Sequence, residues 1–461
     1  MASFLVHIVL LVTLGLVVFG SQPGRPGPSL TASFGEQEPL DMLVDPSETP
    51  STRIEWTRIA REATESRHQN ETPQVALPEQ EVRGEQVASN PGVGFQSEHP
   101  ADWTRAAAVT GGGLEGRRPG ARARLVQEGG GNQASEEAVE RGLRWLAVHQ
   151  CRDGSWNFNH NQGPCQGLCR HPGDSSSTTG ATAMALLAFL GAGHTHVGGD
   201  YISSVRDGLY YLGGRAAVTS NGADLQEGTM YAQGLATMAL CEAYGLTKDP
   251  GLKDLAQRAI DFIVFAQDRD GGGWRYAPGA PGDTTVTGWQ LMALKSGQMA
   301  RLSVPSPTVF AADRFLNQVQ SQEGALYGYR TPEPRPSTTA VGLLCRMYNG
   351  WGRSHPAIAQ GAAYLSKLGP SKEADGMYFN YYATQVLHHL GGSEWERWNA
   401  KMRDSLISTQ SGDGHEAGSW HFPGSHSKAG GRLYCTAMAV LTLEVYYRYL
   451  PLYRSGAIES R

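Results

Sequence analysis

From Gly142 onward one spacing recurs along the chain: a small residue, two free positions, an aromatic, then an aliphatic. It occurs as Gly142/Trp145/Leu146, Gly208/Tyr211/Leu212, Ala259/Phe262/Ile263, Ala312/Phe315/Leu316 and Gly361/Tyr364/Leu365. The aromatic positions lie 66, 51, 53 and 49 residues apart. A degraded sixth copy (Lys401, Met402, Ser405, Leu406) follows after 41 more. A period of about 50 is too long for one strand pair and fits two helices with their loops. Charges fall on one side of these segments, so each predicts an amphipathic helix.

Six other stretches alternate with them, rich in small residues and apolar nearly all round. They span 177–193, 229–245, 284–297, 337–350, 377–392 and 432–447. Several follow Ser, Thr or Asp, and all but the last end in Gly, as helix boundaries should. A helix without a polar face predicts burial. Six buried helices inside six amphipathic ones predict an all-α fold, an α/α6 toroid. Its inner helices then run parallel, and their N-termini meet at one mouth with unpaired N–H groups facing a cavity. That mouth is the expected site.

A second pattern joins the two helix sets. Gln150 leads to Gly154 and Trp156, Gln267 to Gly271–Gly273 and Trp274, Gln320 to Gly324 and Tyr327, and Gln410 to Gly418 and Trp420. Gln can bond orphan backbone groups at a neighbouring helix end, Gly permits a reversal, and Trp covers the turn. These residues are expected to be structural.

The toroid accounts for residues 134–455. Residues 4–20 are an unbroken uncharged run, so 1–20 reads as an export signal or membrane anchor, although MASF ahead of the run lacks Lys and Arg. Residues 21–133, rich in Pro, Gly, Glu, Arg and Ser, read as a disordered tether, with a short helix possible around 51–67. The chain is therefore expected to be exported, in the cell envelope or membrane-anchored, contacting the membrane through its N-terminal segment. A net charge of −5 without a basic patch gives no sign of nucleic acid; no protein partner is legible.

Six cysteines complete the inventory. Cys241 and Cys345 fall in apolar helices and read as small hydrophobes. Cys151, Cys165 and Cys169 cluster in the first loop with His160 and His171 nearby, in a spacing that is not a standard zinc ribbon. A disulfide, a metal ligand set and free thiols are all compatible with it.

The repeated Gln…Trp pattern (QW) resembles that of the terpenoid cyclases. The barrel is similar to the toroid shared by squalene–hopene cyclases, other class II terpene cyclases and protein prenyltransferase β subunits. It most resembles the squalene-cyclase-like, prenyltransferase-repeat proteins of bacteria, planctomycetes notably. The cyclase resemblance implies an Asp-x-Asp-Asp-Thr acid motif at an inner-helix start. Here Asp283 and Thr284 match its end, but Gly282 stands at the proton donor's place. The prenyltransferase resemblance implies zinc held by Asp, Cys and His. Asp283 and Cys435 would supply two ligands, Thr285 replaces the Cys, and the set stays incomplete. The macroglobulin thioester motif is absent. No other cofactor is indicated.

Asp283 is thus the candidate acid or metal ligand, and Tyr231, Trp289, Tyr378, Tyr381, Arg432 and Tyr434 are candidates for binding an isoprenoid or other lipid. Asp174 and Glu227 also suit helix N-termini, and His388 and His389 read as structural. Two functions follow: an enzyme or binder acting on a lipid in the cavity, or a non-catalytic binding or scaffold module of the envelope that has lost the acid motif.

Overall fold

Asn132 opens the first repeat. Its side chain accepts from the Ser135 N–H, and the Ser135 hydroxyl accepts from the Asn132 N–H, so two helix-end groups are satisfied reciprocally. In the computed structural model, which describes residues 113–449 and 452, twelve helices then alternate. The outer set is α2 (Gln133–Val148), α4 (Ile202–Arg215), α6 (Pro250–Phe265), α8 (Ser306–Val319), α10 (Pro356–Leu368) and α12 (Gly392–Thr409). The inner set is α3 (Thr178–Gly191), α5 (Met230–Thr247), α7 (Thr284–Met299), α9 (Pro336–Tyr348), α11 (Gly376–Leu390) and α13 (Ser425–Leu443). Each inner helix packs on the next, and α13 packs back on α3. The ring closes as an α/α6 toroid.

The inner helices are buried on all sides. Every residue from Met230 to Ala243 and from Thr284 to Gly297 is shielded from solvent. The outer helices bury one stripe, such as Val139, Gly142, Leu143 and Leu146 on α2. Two short antiparallel hairpins interrupt the helices: Ala217–Thr219 with Gly222–Asp224, and Gln320–Ser321 with Leu326–Tyr327.

One set of bonds repeats around the ring. The indole N–H of Trp156, Trp274 and Trp420 donates to the carbonyl of Leu146, Ile263 and Leu406, each near the end of the preceding outer helix. The backbone N–H of the same three residues donates to Thr182, Thr287 and Thr436 on the following inner helix. Tyr327 repeats this second bond with Thr339. Gln150, Gln267 and Gln410 donate to the carbonyls of Ser204, Thr308 and Ala138, on the outer helix that comes next around the ring. These carbonyls lie within helices, so Gln adds a second bond to an acceptor already used, rather than serving an orphan group. Gly154, Gly272 and Gly418 adopt φ near +88°, +86° and +90° and press against the backbone of that same helix at Asp207, Ala311 and Arg141.

The last inner helix differs from its expected start at 432. It begins at Ser425 and is broken at Gly431 (φ 63°, ψ −163°), where the Gly173 backbone leaves no room for a Cβ. A final turn, α14 (Val445–Arg448), follows.

The boundary at 133 needs correction. Residues 113–133 are folded: a 3-10 turn at Glu115–Arg117 leads into α1 (Pro119–Gly129), which packs on α14, and Gln133 is already the first residue of α2. The reason is Arg117, a charged residue that a Gly- and Arg-rich segment would be expected to expose. It is buried, with Nη1 2.7 Å from Glu242 Oε2 on α5 and further bonds to the Leu190 and Arg448 carbonyls. Burial alone would raise the Glu242 carboxyl. The guanidiniums of Arg117 and Arg448 outweigh it and hold the group at about 2. The expected export or anchor segment at 1–20 and the short helix at 51–67 lie outside the described residues. Among the described residues no helix is long and apolar enough to cross a membrane.

Two substitutions test this frame. Arg117→Ala leaves Glu242 buried with only part of its charge balanced and should cost about 3 kcal/mol in urea unfolding. Removal of a mere linker residue would leave the midpoint unchanged. Gly272→Ala should cost about 2 kcal/mol or more, because a Cβ there meets both a left-handed φ and the Ala311 carbonyl. Ala277→Gly in the neighbouring loop serves as the control.

Candidate functional site

The mouth is capped. Four of the six inner-helix starts find a partner in a neighbouring loop. Met230 N–H donates to the Tyr276 carbonyl (2.9 Å), Thr284 N–H to the Tyr329 carbonyl (3.0 Å) and Arg432 N–H to the His171 carbonyl (2.9 Å). Glu227 accepts from the Thr179 N–H and the Ser177 and Thr178 hydroxyls at the start of α3, and pairs with Arg215 at 2.7 Å. It is a helix cap. Asp174 stays exposed, 3.9 Å from Lys428. The expected row of unpaired N–H groups facing a cavity is therefore corrected: the loops that lead into α3, α5, α7 and α9 also cover the start of the inner helix before them around the ring.

The candidate ligand-binding residues fill space instead of lining it. Tyr231, Trp289, Tyr378, Tyr381 and Tyr434 are between 0 and 7 % exposed. Trp289 stacks on Tyr381 with centroids 5.8 Å apart, Tyr382 meets both edge-on, and Tyr378 packs between Tyr382 and His426. The Tyr231 hydroxyl lies 2.8 Å from that of Thr285. The Arg432 guanidinium does not line the axis either. It bonds Ser411, Ser419, Glu416 and the Arg170 carbonyl beside the first and last loops.

Asp283 is fully buried and caps α7, accepting from Val286 N–H and the Thr285 hydroxyl, both at 2.8 Å. Burial pushes its carboxyl up to about 6, against the pull of those donors and of Arg275, 3.9 Å away. Cys435 sits on the sixth inner helix, three helices around the ring from Asp283. Its thiol lies 3.2 Å from the Ser427 hydroxyl and accepts from Phe422 N–H, and burial pushes its pKa up. No described His, Cys or carboxylate joins either residue in a group of three or more. The proposed Asp283/Cys435 zinc set is thus not assembled.

Another set is. His149, Cys165, Cys169 and His415 place one ligand atom each within 4.8 Å of all the others, the one such group among the described residues. Cys169 Sγ lies 3.5 Å from His149 Nε2 and 3.2 Å from His415 Nδ1, and Cys165 Sγ lies 3.9 Å from His415 Nδ1. His149 caps the C-terminus of α2, stacked on Trp145. Its Nδ1–H donates to the Trp145 carbonyl at 2.7 Å, which leaves Nε2 with a free lone pair. Burial lowers its pKa to about 4, so the ring is neutral at pH 7. Cys169 N–H donates to Cys165 Sγ. Around the quartet, Glu416 accepts from Arg170 and Arg432 together, and those bonds hold its carboxyl down at about 2.

Of the first-loop candidates, then, Cys165 and Cys169 converge, and Cys151 does not. All six cysteines are free in the structure. His160 packs against Trp145 and His149, and His171 packs against His421 with the rings tilted. His149 was missed because it reads as the end of an outer helix, and His415 because it lies 246 residues beyond Cys169. One sequence signal was available: the Gln410–Gly418 gap is longer than its counterparts, and the added residues carry His415.

No family model matches the chain, and no curated protein matches it in sequence. Among solved structures it is similar to the GH76A α-1,6-mannanase of Salegentibacter sp. HEL1_6, at 11% identity and a TM-score of 0.48, over 68% of this chain and 98% of that one. It is also similar to the type II terpene cyclase MstE from Scytonema, at 14% identity and a TM-score of 0.47, again over 68% and 98%. Both are α/α toroids, and the likeness is one of fold.

Asp283 gives a pH test. A carboxyl raised from 3.8 to about 6 contributes stability that is complete below the unfolded pKa and is lost as pH rises through the folded one. Asn caps as well as Asp. Relative to Asp283→Asn, wild type should therefore lose about 3 kcal/mol between about pH 4 and 7. Parallel stability curves for the two proteins would contradict it.

Proposed function

We propose that the toroid is a non-catalytic binding and scaffold module of the cell envelope. The observation that carries this reading is the packed axis: Trp289, Tyr381, Tyr382 and Tyr434 are each at most 1% exposed, where a lipid-handling toroid needs open volume. Two further features support it. The N–H groups that would hold a polar headgroup are engaged by loop carbonyls, and Gly282 occupies the proton donor's place. A rigid ring with a filled centre works through its outside. There Val148, Leu168, Val197 and Tyr210 remain more than half exposed. Export through residues 1–20 and a tether to the membrane belong to the same reading.

One observation favours the alternative, a protein acting on an isoprenoid in the toroid. Asp283 is a buried carboxyl that burial pushes up to about 6, beside Tyr231, Tyr276 and Tyr329. Squalene and geranylgeranyl diphosphate separate the two. Native mass spectra of the full chain with each, and product analysis after long incubation, should show neither a bound mass nor a new product. A product abolished by Asp283→Asn would establish the enzyme reading instead.

A further inference from the structure

The loop that follows the first outer helix and the loop that follows the last one meet at the quartet. We propose that His149, Cys165, Cys169 and His415 bind one zinc ion, and that this ion closes the toroid by tying its first repeat to its last.

The geometry fits the ion. A tetrahedral centre with Zn–S of about 2.3 Å and Zn–N of about 2.0 Å separates a sulfur from a nitrogen ligand by roughly 3.5 Å. The sulfur–nitrogen separations in the structure are 3.2, 3.5 and 3.9 Å. Two thiolates and two imidazoles suit zinc over magnesium or calcium, which take oxygen ligands. They also balance its charge: two thiolate charges cancel the two of the cation. Four protein ligands leave no open position, the mark of a structural site.

The surroundings fit as well. The Trp145 carbonyl fixes the His149 tautomer with Nε2 toward the sulfurs. Cys169 N–H points at Cys165 Sγ, a bond that stabilises a thiolate. Cys165 and Cys169 are buried, so an ion held between them would be shielded from water. Arg432 on α13 holds the two ligand-bearing loops in register. It bonds the Arg170 carbonyl next to Cys169 and the Glu416 carboxylate next to His415.

The position gives the ion its role. His149, Cys165 and Cys169 flank the turn between α2 and α3, and His415 lies between α12 and α13. Joining them closes a loop of 246 to 266 residues, from Cys169 to His415 and from His149 to His415. A ligand that binds only the closed ring stabilises it by mass action. The inference does not depend on the scaffold reading, since zinc content is measured without any substrate.

The test uses the full chain, purified without chelator and assayed for metal by inductively coupled plasma mass spectrometry. One zinc per chain is expected. Exchange with cobalt(II) should give the visible bands and thiolate charge-transfer absorption of a tetrahedral S2N2 centre, and chelation should lower the melting temperature. His415→Ala should weaken zinc binding by more than about 100-fold, since it removes a ligand outright. His415 is exposed, so this variant keeps its fold, as circular dichroism will check. Cys151→Ser should keep its zinc. The proposal is overturned by a reduced chain that takes up neither zinc nor cobalt, by a Cys165–Cys169 disulfide in the peptide map, or by undiminished zinc in His415→Ala.

Discussion

A ring of buried helices has no end to leave exposed, and that constraint organises this molecule. Each inner helix is apolar on all sides and needs two inner neighbours plus an outer helix to hide it. The first and last helices cannot rely on sequence neighbours for this. Helix α13 must find α3 across some 250 residues of chain. Loop closure over that distance is entropically costly, and contacts at the seam must offset the cost. The seam is accordingly dense with specific bonds: Gln410 to the Ala138 carbonyl, Arg141 to Gln410, Arg170 and Arg432 to Glu416, and the Cys/His quartet.

The same constraint shapes the centre. The small residues of the inner helices (Gly180, Ala181, Ala183 and Ala185 on α3, Ala232, Gly234 and Ala236 on α5) bring the helices close. The axial volume left is taken up by Trp289 and the tyrosines around it. The polar ends of those helices are then far from water and must be satisfied by protein. Asp283, Glu227 and the loop carbonyls do this at one end. At the other, Arg117, Arg448, Tyr449 and Glu242 form a buried charged cluster, with Glu242 2.7 Å from both Arg117 and the Tyr449 hydroxyl. The segment before the repeats is thus part of the fold, because it supplies one of the charges that make Glu242 tolerable. Chemistry and architecture are separated as a result. The groups with the most perturbed environments at the mouth serve as caps, and the convergent metal-capable group lies at the seam.

The sequence by itself determined the elements and their order. Burial on all sides or on one stripe is a property of local composition, so twelve helices, their inner or outer placement and the toroid were legible from spacing alone. The structural role of Trp156, Trp274 and Trp420 was legible too, because each performs the same bond in the same local frame. The fate of Arg117 was not, since a charged residue in a polar segment is buried only when a partner 125 residues away is buried first. Whether the axis is open or filled was likewise undecided, because it depends on how far six side-chain sets interpenetrate. Cys165 and Cys169 were visible as a local pair, but their partners were not. His149 belongs to a helix end and His415 to the far end of the chain, and only closure of the ring brings them within reach of the two sulfurs.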